Sequence, residues 1–490
     1  PTCDYIPPSG SANFDLTSEW VSPIAVTDIS QLFVADMDGE ADGISEIITM
    51  KNISYHDSDI NAIYLLDGKT GTLKYAPNTL RIHSRNKGLA VGDADRDGRS
   101  EFYYMTADDE TTGNSRKIAC YEYNPSGANP SGSGTGTFTL QWTSSTQVTC
   151  GLSGGELFAV EDFTVGLADF NYDGTPEVYV GNEIYNAITG QRITTGGTNS
   201  IGSWNHGEFG LSSTFHVMAV TTAIDVLPDN ACANCSGLEL VAGNQVYAVD
   251  ITGGTMTVQQ QAPNSLPDGN TAIADYDLDG DLDGIITTND ATKSYLYIWD
   301  LQTNTQIGAT HTVQNTNGLS YHPINLPVIA DFDGDNRPEI GVCGQYIFQV
   351  VEDHLTDISG TGGTLWSIVT TDLSGQTGAA VFDFNGDGIS EVVYRDEDNL
   401  RIMSGPTGAN LATFSCQSGT GGEYPVIADI DNDDETEIIC NCSDGSTSNT
   451  KAFKSDQYPW VSTRELWNQY AYFNVNINDD LTIPQQQQSH

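Results

Sequence analysis

The feature that most constrains this chain is an acidic loop that recurs seven times between short apolar segments. In one copy, Asp93, Asp95 and Asp97 alternate with other residues, a glycine follows at 98, and Glu101 closes the pattern three residues later. The copies are spaced by about 50 residues, which is the size of a four-stranded propeller blade. The seven copies begin at Asp36, Asp93, Asp169, Asp275, Asp331, Asp383 and Asp429.

An eighth, degenerate copy lies between the third and the fourth, with Asp225, Asp229 and Glu239 in roughly corresponding places. Each unit contains short segments rich in β-branched and aromatic residues, and the connectors between them are rich in Gly, Asn, Asp and Ser. The sequence therefore predicts an all-β fold, an eight-bladed β-propeller with four-stranded blades. Seven blades is the alternative, if the degenerate copy elaborates a blade instead of forming one.

The N-terminal region indicates how the ring closes. Residues 17–21 (TSEWV) resemble residues 140–143 (LQWT), which stand at the position of a fourth strand. We expect this N-terminal strand to complete the last blade. The predicted organisation is an N-terminal segment over residues 1–14, a propeller over 15–465 and a C-terminal tail over 466–490.

The acidic loops have the composition of calcium sites. Carboxylates at positions 1, 3 and 5, a glycine at 6 and an acid at 9 supply the hard oxygen ligands that Ca²⁺ prefers. An EF-hand closes at position 12 instead, so these loops are a different kind of site. The first loop has two extra residues, so five acids compete there, and the degenerate copy is expected to bind no calcium. The candidate ligands, for about seven ions, are Asp36, Asp38, Glu40, Asp42, Glu46, Asp93, Asp95, Asp97, Glu101, Asp169, Asn171, Asp173, Glu177, Asp275, Asp277, Asp279, Asp283, Asp331, Asp333, Asp335, Glu339, Asp383, Asn385, Asp387, Glu391, Asp429, Asp431, Asp433 and Glu437.

These loops resemble the FG-GAP or VCBS repeats of integrin-α-type propellers. The resemblance implies calcium in the loop between the first and second strands of a blade, and ligand recognition on the opposite face of the disc. The tail, from Leu466 to Pro484, is similar to segments that follow propellers in large secreted surface proteins of Bacteroidetes-type bacteria. That similarity implies a chain that is part of a longer protein and of a larger surface assembly.

The cysteines and the charge indicate a secreted or cell-surface protein. We expect disulfides between Cys120 and Cys150, and between Cys416 and Cys442, with Cys440 as the alternative partner of Cys416. Cys232 and Cys235 suit a local disulfide that replaces the missing metal of the degenerate loop, with a redox or zinc motif as alternatives. A formal charge of −48 argues against nucleic acid as a partner. No apolar run is long enough to insert into a membrane.

Aromatic and basic residues cluster in connectors that the predicted fold places opposite the calcium loops. Such residues suit an acidic sugar or a carboxylate-bearing partner, although packing between blades is the alternative. The sequence has no nucleophile elbow, no HExxH motif and no paired catalytic carboxylates outside the acidic loops. It predicts a calcium-stabilised extracellular module that binds a glycan or a surface protein, and the alternatives are a lyase of acidic polysaccharides and a structural unit of a filament. The candidate ligand-binding residues are Arg81, His83, Arg85, Trp204, His206, Tyr321 and His322.

Overall fold

The structure is a computed structural model that describes most of the chain. The described residues are 14–39, 42–51, 62–76, 88–106, 117–126, 133–134, 136–149, 163–206, 215–290, 293–313, 324–352, 363–456 and 458–488. No helix within these ranges is both long and apolar enough to cross a membrane.

Four-stranded antiparallel sheets follow one another along the first half of the chain. A two-stranded hairpin, Ser203–His206 with Phe215–Ala219, separates the third sheet from the fourth. Blade 1 is Phe33–Ala35, Glu46–Lys51, Ala62–Asp67 and Leu73–Ala76; blade 2 is Leu89–Gly92, Glu101–Met105, Ile118–Asn124 and Thr137–Thr143; blade 3 is Val165–Ala168, Glu177–Val180, Glu183–Asn186 and Arg192–Thr195; blade 4 is Thr222–Ile224, Glu239–Ala242, Gln245–Asp250 and Thr255–Gln261.

Four further sheets complete the ring, and two short 3₁₀ helices, Pro263–Ser265 and Asn474–Asn476, lie outside them. Blade 5 is Asn270–Ala274, Asp283–Asn289, Ser294–Asp300 and Thr305–Val313; blade 6 is Val328–Ala330, Glu339–Gly344, Ile347–Val351 and Thr364–Val369; blade 7 is Ala379–Phe382, Glu391–Arg395, Asn399–Met403 and Asn410–Ser415; blade 8 is Val426–Ala428, Glu437–Ser443, Ser448–Lys454 and the N-terminal strand Thr17–Ala25.

The closure of the ring confirms the sequence prediction. Thr17–Ala25 pairs antiparallel with Ser448–Lys454, so the N-terminal strand is the outer strand of the last blade. The inner strands of blades 1 and 8 contact each other. The degenerate copy at Asp225 forms the complete blade 4, so the protein is an eight-bladed propeller and the seven-bladed alternative is wrong.

A strand that pairs across blades marks the insertion in blade 2. Ser133–Gly134 leaves blade 2 and adds a fifth strand to blade 1, beside Tyr75 and Ala76. The outer edge of blade 1 is thereby covered.

The core lies between neighbouring blades. Second strands such as Glu101–Met105 and Glu177–Val180 are buried along their whole length, because each blade packs against a neighbour on both faces. One apolar cluster joins blades 1 and 2 through Phe33, Val91 and Phe102. Outer strands such as Thr255–Gln261 are mostly exposed, and their sequences are accordingly more polar and alternating.

The C-terminal segment runs along the inner strands of the ring. Trp467 forms an antiparallel β-bridge with Val34 of blade 1, and Gln469 forms one with Ala90 of blade 2. The hydroxyl of Tyr470 donates to the carbonyl of Gly422, 2.6 Å away. Further along the tail, the side-chain amide of Asn476 donates to the carbonyl of Ala223 in blade 4 at 2.9 Å. The tail therefore fills one side of the central channel.

Candidate metal loops and central cavity

Six of the seven acidic loops share one hydrogen-bond pattern. In blade 2, Asp93 Oδ2 accepts from the Gly98 amide at 2.9 Å, and Asp97 Oδ1 accepts from the Arg99 amide at 3.0 Å. These bonds fix the loop so that its carboxylates face one another. The same two bonds, from position 6 to position 1 and from position 7 to position 5, recur in the loops that begin at Asp169, Asp275, Asp331, Asp383 and Asp429.

Position 6 of these loops adopts the left-handed backbone conformation. Gly98 has a φ of 87°, and the two departures from glycine, Asn336 and Asp434, have φ of 66° and 65°. Asn and Asp adopt this conformation more readily than most residues. The sequence departures at position 6 therefore keep the loop geometry.

The closing acid holds its own loop. In blade 2, Glu101 Oε2 accepts from the Ala94 amide at 2.9 Å. Even the degenerate loop keeps this bond, because Glu239 accepts from the amides of Val226 and Leu227 at 3.0 Å. Sequence reasoning assigned the closing acid a metal-binding role only. The equivalent closing acids that accept from the residue after the first Asp are Glu46, Glu177, Asp283, Glu339, Glu391 and Glu437.

The second oxygen of some closing acids has no hydrogen-bond partner among the described residues, and this includes Glu239 Oε1 of the degenerate loop. Glu101 Oε1 and Glu437 Oε1 are buried and accept no hydrogen bond within the described part of the chain. Burial, together with the neighbouring Asp95 and Asp93, raises the pKa of Glu101 to about 8. Burial likewise raises the pKa of Glu437 to about 9. A carboxylate in such surroundings is favoured in its charged form only when a cation lies beside it.

The donor atoms suit a hard divalent cation. In blade 2, oxygens of Asp93, Asp95, Asp97 and Glu101 all lie within 4.8 Å of one another. All these donors are oxygens, as Ca²⁺ prefers. In the loops of blades 3 and 7, position 3 is Asn instead of Asp. The side-chain amides of Asn171 and Asn385 donate to the carboxylate of the Asp at position 5. Comparable acidic groups are Asp275 with Asp277 and Asp279, Asp331 with Asp333 and Glu339, and Asp429 with Asp431 and Glu437.

The first loop departs from the shared pattern. Asp36 Oδ1 accepts from the Gly39 amide, and Asp42 Oδ1 accepts from the Ile44 amide. The ammonium group of Lys74 contacts the carboxylates of Asp38 and Glu46. Glu40, another predicted ligand, lies outside the described residues.

The degenerate loop of blade 4 is closed by a disulfide. Cys232 and Cys235 are bonded, with their Cα atoms 5.3 Å apart. The described residues of this loop contain no group of three acids arranged for a metal.

A second disulfide joins the connector after blade 7 to the second strand of blade 8. It links Cys416 to Cys442, one of the two partners that the sequence indicated, and Cys440 is a buried free thiol. Cys120 is buried, but its predicted partner Cys150 lies outside the described residues, so that pairing stays a prediction.

The predicted ligand face falls almost wholly outside the described residues. Arg81, His83, Arg85, Tyr321 and His322 are not described. Trp204 and His206 belong to the hairpin strand Ser203–His206, whose backbone pairs with Phe215–Ala219, but their side chains are not described. Ligand binding by these seven residues stays a prediction.

A cavity of about 500 Å³ lies between the tail and the inner strands of the second half of the ring. The tail buries the inner strands of blades 1–4, whereas Ile273, Val328 and Val381 of blades 5–7 are partly exposed. The opposite wall carries Trp467 and Tyr472, whose rings stack at 4.7 Å. The sequence did not predict this cavity, because it depends on the path of the tail.

The cavity is almost free of charge. None of the described residues that line it is Asp or Glu, and Arg464 is their one charged member. The Arg464 guanidinium is held by Asp479 at 2.7 Å, and it also donates to the hydroxyl of Tyr472 at 2.9 Å. In a chain with 66 acids, an acid-free and aromatic cavity is a distinct environment.

Comparison with known proteins supports the fold and the repeat. Residues 383–440 match the family described as FG-GAP-like repeat. Comparison with curated proteins finds no matching sequence.

Solved structures resemble the whole chain. A biofilm matrix protein of V. cholerae, Bap1, is similar with a TM-score of 0.62 and 16% identity, over 96% of each chain. A rhamnogalacturonan lyase of Bacillus licheniformis is similar with a TM-score of 0.52 and 18% identity, over 87% of this chain and 71% of that one. At these identities the likeness concerns the fold alone. The chain is thus an eight-bladed β-propeller with recurrent acidic loops, and its residues 383–440 match the FG-GAP-like repeat.

Proposed function

We propose that this propeller is a calcium-stabilised binding module that acts outside the cell and holds a segment of a glycan in its central cavity. The main observation in support of a ligand site is the acid-free, aromatic cavity beside Trp467 and Tyr472. Two disulfides and a set of hard-oxygen loops suit an oxidising, calcium-rich exterior.

Calcium is the cation that best fits the six patterned loops. In blade 2, Asp93, Asp95, Asp97 and Glu101 hold it in this proposal, and Glu101 Oε1 supplies the oxygen that otherwise has no partner. A bound cation neutralises carboxylates that repel one another at this separation. Its role here is structural, because each loop joins the inner strand of a blade to the second strand.

The cavity suits sugar rings better than a protein surface. Small-molecule sites typically have volumes of about 300–1,000 Å³ and are lined by apolar and aromatic groups with a few polar ones. Thr271, Thr463 and Asn474 supply such polar groups at this cavity. A stable protein interface needs about 1,000 Å² of buried surface, which favours a broad face over an enclosed cavity.

The lyase alternative lacks support from the cavity. β-Elimination needs a base and a group that neutralises the substrate carboxylate. Among the described lining residues, Arg464 is the only ionic candidate, and Asp479 already pairs with it. Binding without turnover is therefore the function that the geometry favours.

The experiment is calorimetric titration with neutral and uronate-containing oligosaccharides in the presence of calcium. Val381 lines the cavity and is partly exposed, so V381W should fill the space and weaken binding at least tenfold. V369W is the matched control, because Val369 is 68% exposed on the outer strand of blade 6. Equal affinities for V381W and the unmodified protein would overturn the proposed ligand site.

The same oligosaccharides test the lyase alternative. The absorbance of an unsaturated product should stay flat during incubation with uronate-containing chains. A rising absorbance would replace binding with catalysis as the function of this chain.

A further inference from the structure

We infer that the acidic loop of blade 1 is neutralised by the chain's own Lys74 and takes no calcium, whereas the six patterned loops each take one ion. This inference rests on the proposed calcium sites of those six loops. The seven calcium sites predicted from the sequence thus become six, and the ammonium group of Lys74 is the cation at the seventh loop.

The first observation is where the ammonium group lies. Lys74 Nζ contacts a carboxylate oxygen of Asp38 and one of Glu46. The side chains of the two acids are 1% and 0% exposed, and that of Lys74 is 21% exposed. The positive charge thus sits inside the group of acids that forms the candidate site of this loop.

The second observation is a comparison of equivalent atoms. Glu46 Oε2 accepts from the Met37 amide, as the closing acid does in every blade. Its other oxygen, Oε1, is the one that Lys74 contacts. The corresponding oxygens of Glu101 and Glu437 accept no hydrogen bond within the described chain. Lys74 therefore satisfies the atom that is left for a cation in those loops.

The third observation is the backbone at Lys74. Leu66 pairs with Leu73 and Leu65 pairs with Tyr75, so Lys74 is the extra residue of a β-bulge in the outer strand. Bulges change the direction in which a side chain points. The outer strands of blades 3, 6 and 7 have a register shift at the corresponding place, where the extra residues are Ile193, Leu365 and Leu411. Those aliphatic side chains offer no charge to their loops.

The fourth observation is the loop itself. The closing acid Glu46 follows Asp36 by ten positions, whereas Glu101 follows Asp93 by eight. Oxygens of Asp36, Asp38 and Glu46 still lie within 4.8 Å of one another, so the acids of this longer loop converge, and the ammonium group of Lys74 lies beside them.

The test is the number of calcium ions bound by the chelated and reloaded protein, measured by native mass spectrometry and by calorimetry. The unmodified protein should bind six ions. E101Q should bind one fewer, and E46Q should bind the same number as the unmodified protein. Loss of one ion by E46Q would overturn the role of Lys74 and leave the other sites intact. No bound ion in any variant would instead overturn the calcium proposal itself.

A gain of function completes the test. K74M leaves Asp38 and Glu46 without a cation, so the variant should bind seven ions. Its melting temperature should also fall further on chelation than that of the unmodified protein. K293M is the control, because Lys293 lies over the ring of Tyr295 in blade 5 and should leave the count at six. A count of six for K74M, with calcium failing to restore its melting temperature, would count against the inference.

Discussion

The indole N–H of Trp20 donates a hydrogen bond to the carbonyl of Gly68, 2.8 Å away, and so joins the outer strand of blade 8 to a turn of blade 1. The same contact recurs between Trp142 and Ala187, and between Trp366 and Gly405, each time from one blade to the next. In each case the indole lies against a glycine with positive φ at the end of the turn. These glycines are Gly71, Gly190 and Gly408.

The tryptophan contact predicts a specific cost for a methyl group at Gly71. A Cβ there would lie 2.2 Å from Trp20 Cε3, so G71A should displace the indole and strain the backbone. We expect a loss of about 2–4 kcal/mol in the free energy of unfolding, from overpacking together with strain. G197A is the matched control, because Gly197 has a φ of 65° but no atom within 4 Å of the added Cβ. Urea denaturation that gives equal losses would show that the indole contributes nothing to closure.

Part of this closure could be predicted from the sequence. Trp20 and Trp142 lie in similar segments, which correctly indicated that the N-terminal strand is an outer strand. The acidic repeats set the number of blades, including the blade of the degenerate copy. Lys74 was missed, because its direction depends on a bulge whose register is fixed only by pairing with Leu65 and Leu66. The path of the tail was missed as well, since its contacts join residues hundreds of positions apart.

Calcium removal should destabilise the protein through each patterned loop separately. A ligand that binds only the folded state raises stability by mass action, so chelation should lower the melting temperature. D95A removes one carboxylate of the blade 2 loop and should remove part of the calcium-dependent shift. D229A, in the degenerate loop, is the control and should leave the shift unchanged. Differential scanning calorimetry with and without chelator measures both, and an identical melting curve in chelator would contradict the proposal.

Asp372 should make stability depend on pH. This buried carboxyl accepts from the Ser374 hydroxyl and the Gly375 amide, while the Tyr394 hydroxyl donates to its other oxygen. Burial, together with the charge of Glu423, raises its pKa to about 7. In the unfolded chain an Asp ionises near a pKa of about 3.9. Between these values the folded state binds the extra proton, so stability falls as pH rises from about 4 to 7.

The measurement for Asp372 is the free energy of unfolding of D372N between pH 5 and 8. Asn keeps the size of the side chain and has no charge to lose, so D372N should gain stability relative to the unmodified protein as pH rises. Asp444 provides the control, because its hydrogen bonds with Thr447 and Ser446 lower its pKa to about 2. The effect of D444N should therefore stay constant over this range. A constant difference for D372N would show that Asp372 ionises normally in the fold.

The buried ion pair between Arg395 and Glu423 should be strongly coupled. Arg395 in blade 7 also donates to the carbonyl of Asp28 at 2.8 Å, next to the N-terminal strand. R395M leaves Glu423 buried without its partner and should cost about 3–5 kcal/mol. The double variant R395M/E423M should lose less than the sum of the single variants, with a coupling of at least about 1 kcal/mol. A double-mutant cycle by urea denaturation measures this, and additive losses would show that the pair does not interact energetically.

Tyr470 should control how firmly the tail is held in the channel. Its ring is fully buried, and its hydroxyl donates to the carbonyl of Gly422. Y470F removes this donor and leaves a buried carbonyl unsatisfied, which should cost about 1–3 kcal/mol. Because the tail forms one wall of the cavity, hydrogen exchange over residues 466–488 should accelerate and oligosaccharide binding should weaken together. Y458F is the control, since Tyr458 is exposed and should change neither measurement. Faster exchange with undiminished binding would mean that the tail wall, with Trp467 and Tyr472, takes no part in holding the ligand.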